Sequence, residues 1–428
     1  MSSRYRLLAD VSPLRESVAF RRLWVGTTVS AMGSTLTGFA VMLQVYDLTR
    51  SPFAVGAIGV AQMIPTLVVG LLGGSIVDAT DRRKLVLITS VCLAAVSALL
   101  AVQAFAGLRS VWTLYGLVAL ASALGALNRP ARSTFIPTLL PPSQLTAGMA
   151  LDRLCFQIVL TVGPALAGAI AAAPHLGVRA CYLVDAISFF VSLYGVARLP
   201  AMRPQGEGAR PGPRAVAAGV SFIRRSQVIG GAFLADLNAT VFALPVALFP
   251  AINAERFGGN PRTLGLFMAA IGVGGMVSAV FSGPVKHIAR QGLAMLITVA
   301  VWGAAFAGFA LATSLWLTLG LLGLAGAADM FTVVFRSVIV QSATPEEFRG
   351  RVMAADYVVG AGGGQLGNLE AGALGSLTTP TISAFAGGLV TIVGSVVIGL
   401  ALPAFIRYRH QPHDPADENQ NAPATAVT

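Results

Sequence analysis

Several charged residues in this chain stand where charge is least expected. Asp236, Asp329 and Glu370 lie inside long apolar runs, with Gln365 and Asn368 close to Glu370. Charge at membrane depth is costly, so such groups face a cavity and carry function. The chemistry open to them is proton exchange or polar ligand binding, because a buried carboxylate can take up and release a proton near neutral pH. Two basic–acidic pairs, Arg132/Asp152 and Arg336/Asp356, recur at a spacing of 204 residues. Their placement suits ion pairs at helix ends that are remade as the structure moves. Asp78 and Arg82 belong to a run from Gly74 to Lys84 that is dense in charge, in a chain only 11% charged. Gly163-Pro164 removes one backbone hydrogen bond in the middle of another apolar run and bends the helix there.

Other polar residues have structural readings. Asp185 is expected to be a structural partner, and Thr27, Thr28, Ser30, Ser34, Thr35 and Thr37 form a polar stripe suited to lining a cavity. The His residues have no Cys or Glu at metal-binding spacing, and the three Cys residues are scattered, so neither a metal site nor a cofactor is expected. A phosphate-binding loop is absent from the sequence, as is any nucleophile–base constellation, so an enzyme is not expected.

The elements that must hold these groups are membrane helices. Hydrophobic residues make up 55% of 428, and the mean hydropathy is +0.75. About 20 apolar residues span a bilayer, and twelve such runs are present. The seventh is read as 228–252, the eleventh as 353–377 and the twelfth as 380–406. No cleavable leader is expected ahead of the first. If both ends lie on one side, 24 of the 29 Lys and Arg residues fall on that side, which makes it the cytoplasmic one. Basic charge spread over loops in this way excludes nucleic-acid binding.

The fold expected is all-α: twelve transmembrane helices in two pseudo-symmetric six-helix bundles. A shift of 204 residues superposes Arg132-Ser133 on Arg336-Ser337, Asp152 on Asp356, Gly163 on Gly367, Ala167-Gly168-Ala169 on Ala371-Gly372-Ala373, and Gly70 on Gly274. Such a duplication places a central site between two bundles that rock against each other. The domains read as a cytoplasmic tail at 1–19, a first bundle at 20–199, a linker at 200–225, a second bundle at 226–408 and a disordered tail at 409–428. Ala215 to Arg225 is expected to form an amphipathic helix on the membrane face.

Gly74-x-x-x-Asp78 followed by Arg82-Arg83-Lys84 resembles the loop signature of the major facilitator superfamily, with Ala79 and Asp81 departing from the usual pattern. Gly163-Pro164-Ala-Leu-Ala-Gly168 is similar to part of its exporter-associated motif. Asn128-Arg-Pro-Ala-Arg132-Ser133, Tyr182-Leu-Val-Asp185 and Pro345-Glu-Glu-Phe-Arg349-Gly350-Arg351 resemble the enterobactin-exporter type of that superfamily. The resemblance implies alternating-access export of a small organic molecule, a siderophore or another secondary metabolite, from the bacterial inner membrane. Proton antiport is the expected energy source. A multidrug or antibiotic efflux pump is the competing expectation, and a non-transporting receptor on the same scaffold a more distant one.

The roles expected are gating for Asp78, Arg82, Arg132, Asp152, Arg336, Asp356, Gly163 and Pro164. Proton or substrate binding is expected at Glu370, Asp236, Asp329, Gln365 and Asn368. The partners expected are a small-molecule substrate, protons and the lipid bilayer, with the protein acting as a monomer.

Overall fold

The computed structural model describes residues 10–72, 80–200, 213–281, 283 and 288–409. Asp78, most of the loop it belongs to, the first part of the linker and the C-terminal tail lie outside the described residues. Among the described residues twelve principal helices, separated in places by shorter ones, build the bundles: α1 (Val18–Thr49), α2 (Pro52–Leu72), α3 (Arg82–Phe105), α4 (Val111–Ser133), α5 (Pro142–Ala171) and α6 (Val178–Ala197), then α7 (Gln227–Phe242), α8 (Pro261–Val280), α9 (Gln291–Leu311), α10 (Leu315–Ala343), α11 (Glu346–Leu377) and α12 (Pro380–Ala401). Eleven spans pass as long and apolar enough to cross a membrane. The twelfth, α11, carries Glu346, Glu347, Arg349, Arg351, Asp356 and Glu370. Its charge is concentrated in the first three turns, which is why its start reads seven residues late from the sequence.

Helix starts are set by local chemistry. Ser17 and Ser226 accept hydrogen bonds from the amides of Phe20 and Ile229, so α1 and α7 open with the same cap. Pro52 and Pro261 open α2 and α8. Asp81 caps α3 by accepting from the amides of Arg83 and Lys84. At the far end of α6, Arg83 donates to the carbonyl of Ala197 at 2.5 Å, so a basic side chain satisfies a C-terminal carbonyl.

These starts correct the internal alignment. Spans α1, α2 and α3 match α7, α8 and α9 at an offset of 209, while α4 and α5 match α10 and α11 at 204. The match of Gly70 with Gly274 is therefore fortuitous. A pair of tryptophans confirms the second offset: Trp112 and Trp316 open α4 and α10, both 81% exposed. Both stand at the end opposite the basic loops, as expected of aromatic anchors at a membrane surface.

The halves meet along two seams, α2 against α11 and α5 against α8. Each seam is built on glycine. A Cβ on Gly168 would lie 2.6 Å from the Pro261 carbonyl oxygen and 3.0 Å from the Cα of Gly265. Its counterpart Gly372 would meet the Pro52 carbonyl oxygen at 2.5 Å and the Cα of Gly56 at 3.3 Å. Small residues let membrane helices approach this closely. Gly372→Leu is expected to force α2 and α11 apart. Overpacking of this kind costs about 1–3 kcal/mol, which thermal unfolding of the detergent-purified variant would register as a lowered midpoint.

One span departs from the sequence reading. The run 228–252 breaks after Phe242 into a 3-10 turn (Pro245–Leu248) and a further helix (Phe249–Phe257). Pro245 cannot donate to the ladder, and Ala243 and Leu244 leave helical geometry, with φ of -122° and -121°. The groups freed are satisfied from a distance: Trp302 donates to the Ala243 carbonyl, and Ala247 N–H donates to Asn368 Oδ1. Beyond the break, Arg256 donates to the carbonyls of Phe309, Ala310 and Ala312, closing the C-terminus of α9. The twelfth span similarly breaks at Leu402, with a short helix Pro403–Arg407 after it.

The linker forms a helix, Pro213–Arg225, that packs on the start of α11. Phe222 stacks on Phe348 with centroids 4.4 Å apart.

Candidate functional site

Two of the predicted acids, Asp236 and Asp356, converge on one guanidinium in the second half. Arg336 of α10 donates to Asp236 Oδ2 of α7 at 3.2 Å and to Asp356 Oδ1 of α11 at 2.8 Å. All three side chains are largely withdrawn from solvent, Arg336 at 16% exposure. Asp329 lies two turns back on α10, on the same face as Arg336. It is exposed, although it sits at the middle of its helix. Asp236 and Arg336 are close enough for their charges to act on it. Two carboxylates thus hold one guanidinium at the junction of α7, α10 and α11, with Asp329 two turns away on α10. Next to Asp356 on α11, Tyr357 packs against Gly70 of α2. The cluster is therefore one residue away from a seam between the halves.

The first half holds the same arginine in different company. Arg132 donates to Thr27 Oγ1 at 3.0 Å, to Ser192 Oγ at 3.0 Å and to Ser90 Oγ at 3.3 Å. Its Nε is buried and has no acceptor. At the offset of 209, Thr27 is the counterpart of Asp236. Asp152, the counterpart of Asp356, is exposed and makes no ion pair with Arg132. The two pairs expected to be symmetric are not: Arg336/Asp356 is formed and Arg132/Asp152 is open. The sequence carried the signal for Thr27 in the matched caps Ser17 and Ser226, but a single uniform offset conceals it.

Glu370 is not brought to the cluster. Among the described residues it makes no hydrogen bond or ion pair, and it is partly exposed. Leu366, one turn before it, is 43% exposed, and Leu377, two turns on, is 84% exposed. Its polar neighbours are engaged elsewhere. Gln365 donates to Gln62 of α2 across the seam, and Asn368 holds the break after α7.

Gly163 and Pro164 lie at a three-helix contact. A Cβ on Gly163 would meet Thr35 of α1 at 2.8 Å, and the carbonyl oxygen of Pro164 lies against Gly265 of α8. The helix runs on through Pro164 without a break. Asp185 is a structural partner: it accepts from Thr37 and Ser97 at 2.7 Å each and from Ser34 at 3.4 Å, tying α6 to α1 and α3. Arg82 begins α3, and its Nε is buried without an acceptor. Among the described residues no group of His, Cys, Asp and Glu is arranged to hold a metal.

Known proteins share this architecture. A family model described as transmembrane secretion effector matches residues 8–424. The enterobactin exporter EntS of Shigella boydii serotype 18 is 27% identical over 406 residues, covering 95% of this chain and 97% of the relative. EntS of Escherichia coli O139:H28 matches at the same identity and coverage. Among solved structures, the nucleoside transporter NupG superposes with a TM-score of 0.69 at 15% identity, covering 91% of this chain and 100% of that one. A bacterial homologue of the iron transporter ferroportin, solved in an inward-facing state, superposes with a TM-score of 0.67 at 17% identity, covering 90% and 98%. At such identities these two likenesses concern the fold alone. With twelve helices in two halves, glycine seams between them and a sequence match along nearly its whole length, the chain belongs to the transmembrane secretion effector family of major facilitator transporters, and it is not an enzyme.

Proposed function

We propose that this transporter exports a small organic molecule, a siderophore or another secondary metabolite, across the bacterial inner membrane by alternating access coupled to proton antiport. Both termini and the basic loops lie in the cytoplasm, as the lopsided distribution of Lys and Arg requires. The observation that carries the coupling is the surplus of carboxylate around Arg336. With all three acids ionised the cluster would hold excess negative charge at membrane depth, which is costly. One proton taken up by Asp236 or Asp329 relieves it.

Loss of the proton strengthens the competition of Asp236 and Asp329 for Arg336, which frees Asp356. Because Tyr357 packs on α2, a shift of Asp356 moves α11 along the seam between the halves. Asp78 and Arg82 serve as a one-sided latch at the same end, and Gly163 and Pro164 allow α5 to adjust against α8. Direction of transport follows from the likeness to exporters. The experiment is deletion of the gene, with metabolites measured by mass spectrometry in cells and medium. A compound that accumulates inside and disappears outside, reversed by complementation, is the expected result. An unchanged distribution of every metabolite would overturn export.

A further inference from the structure

The two pseudo-equivalent arginines differ in one respect that proton coupling does not use. Arg336 is neutralised by two carboxylates, whereas Arg132 is held by three hydroxyls and no carboxylate. One missing carboxylate traces to sequence, Thr27 where the second half has Asp236, and the other to placement, since Asp152 does not reach Arg132 as Asp356 reaches Arg336. Arg132 lies in the last turn of α4, where the helix dipole supplies only part of a counter-charge and no carboxylate completes it. Its Nε has no acceptor at all. The acid that its counterpart would supply, Asp152, stands exposed on α5 and is unpaired with it. Phe156, one turn beyond Asp152, is 61% exposed. Thr28, next to Thr27, bonds Cys155 on the same helix.

We infer that Arg132 is the point where the transported molecule's own negative charge is held. The ligand class is therefore a small organic acid. A planar carboxylate offers the fork of a guanidinium two acceptors at once, which hydroxyls offer singly. In the second half the equivalent place is filled by a carboxylate of the chain itself, Asp236. The chain thus divides the work: acids around Arg336 handle protons, and the open arginine of the first half handles the anion. The inference rests on the exporter proposal and sharpens its substrate class.

Thr27→Asp tests it, because the substitution installs the missing carboxylate without removing the arginine. Purified wild type, Thr27→Asp and Arg132→Gln would be titrated with salicylate, benzoate and hexanoate, with the matching amides as uncharged controls. Binding would be followed by tryptophan fluorescence and thermal unfolding. The expected result is saturable binding of at least one acid but not of its amide by wild type. That binding should weaken at least tenfold in both variants, with Thr27→Asp folding as well as wild type. Equal affinity for acid and amide, no saturable binding of any acid by wild type, or unchanged affinity in Thr27→Asp would each overturn the inference. These readouts are of binding alone. They stand apart from metabolite redistribution in the deletion strain, so failure of one proposal is distinguishable from failure of the other.

Discussion

Arg336→Gln is expected to produce the largest single loss of stability in the second half. The substitution leaves Asp236 and Asp356 without the cation that bonds both of them, and Asp329 remains as a third carboxylate nearby. Removing one partner of a buried pair costs about 3–5 kcal/mol, because the remaining charge is uncompensated. Thermal unfolding of the detergent-purified variant would show a markedly lowered midpoint. Adding Asp236→Asn should recover part of the loss, since a neutral pair is far cheaper than an orphaned charge. A double-mutant cycle of these substitutions measures the coupling directly. The matching change in the first half, Arg132→Gln, should cost less, because it leaves hydroxyls rather than carboxylates without a donor.

Asp236→Asn is expected to have the largest effect on transport itself. Asparagine keeps the size and one acceptor oxygen, so the bond from Arg336 survives in weaker form. It cannot carry the exchangeable proton. Under the proposed mechanism, export driven by a proton gradient is lost while exchange of substrate across the membrane without a gradient continues. Asp329→Asn should give the same split between driven export and exchange. Glu370→Gln should leave both near wild type, because Glu370 has no bond to the cluster among the described residues. Vesicle transport measured with and without a pH gradient separates these outcomes.

Much of the architecture was legible in the sequence because hydrocarbon thickness fixes helix length. Eleven spans met that criterion cleanly, and α11 was visible despite its charge because it kept a long apolar second half. The duplication was also legible, but only for α4 and α5 at the offset used. The first three spans of each half align at a different offset, and the caps Ser17 and Ser226 show it only once helix starts are known. Depth singled out Asp236 and Asp329, and spacing paired Arg336 with Asp356, but that Asp236 bonds the same guanidinium required the fold. The break after Phe242 required it as well, although Pro245 stood in plain view. Its stability depends on Trp302 and Asn368, 59 and 121 residues away from the groups they satisfy. Glu370 was singled out by depth alone, and depth does not reveal which face of a helix a residue occupies. Arg83 and Arg256 read as topology signals. Their work closing α6 and α9 required knowing which carbonyls lay beside them.

In the proposed mechanism, proton movement through the acids around Arg336 drives export. The most direct measurement uses everted membrane vesicles energised to an acidic interior, with a fluorescent reporter of the pH gradient. The metabolite retained by the deletion strain is then added. For wild type, partial collapse of the gradient on addition is the predicted result, and no collapse is predicted for Asp236→Asn or Asp329→Asn at matched expression. A gradient untouched by the metabolite in wild type, or equally collapsed in both variants, would contradict it.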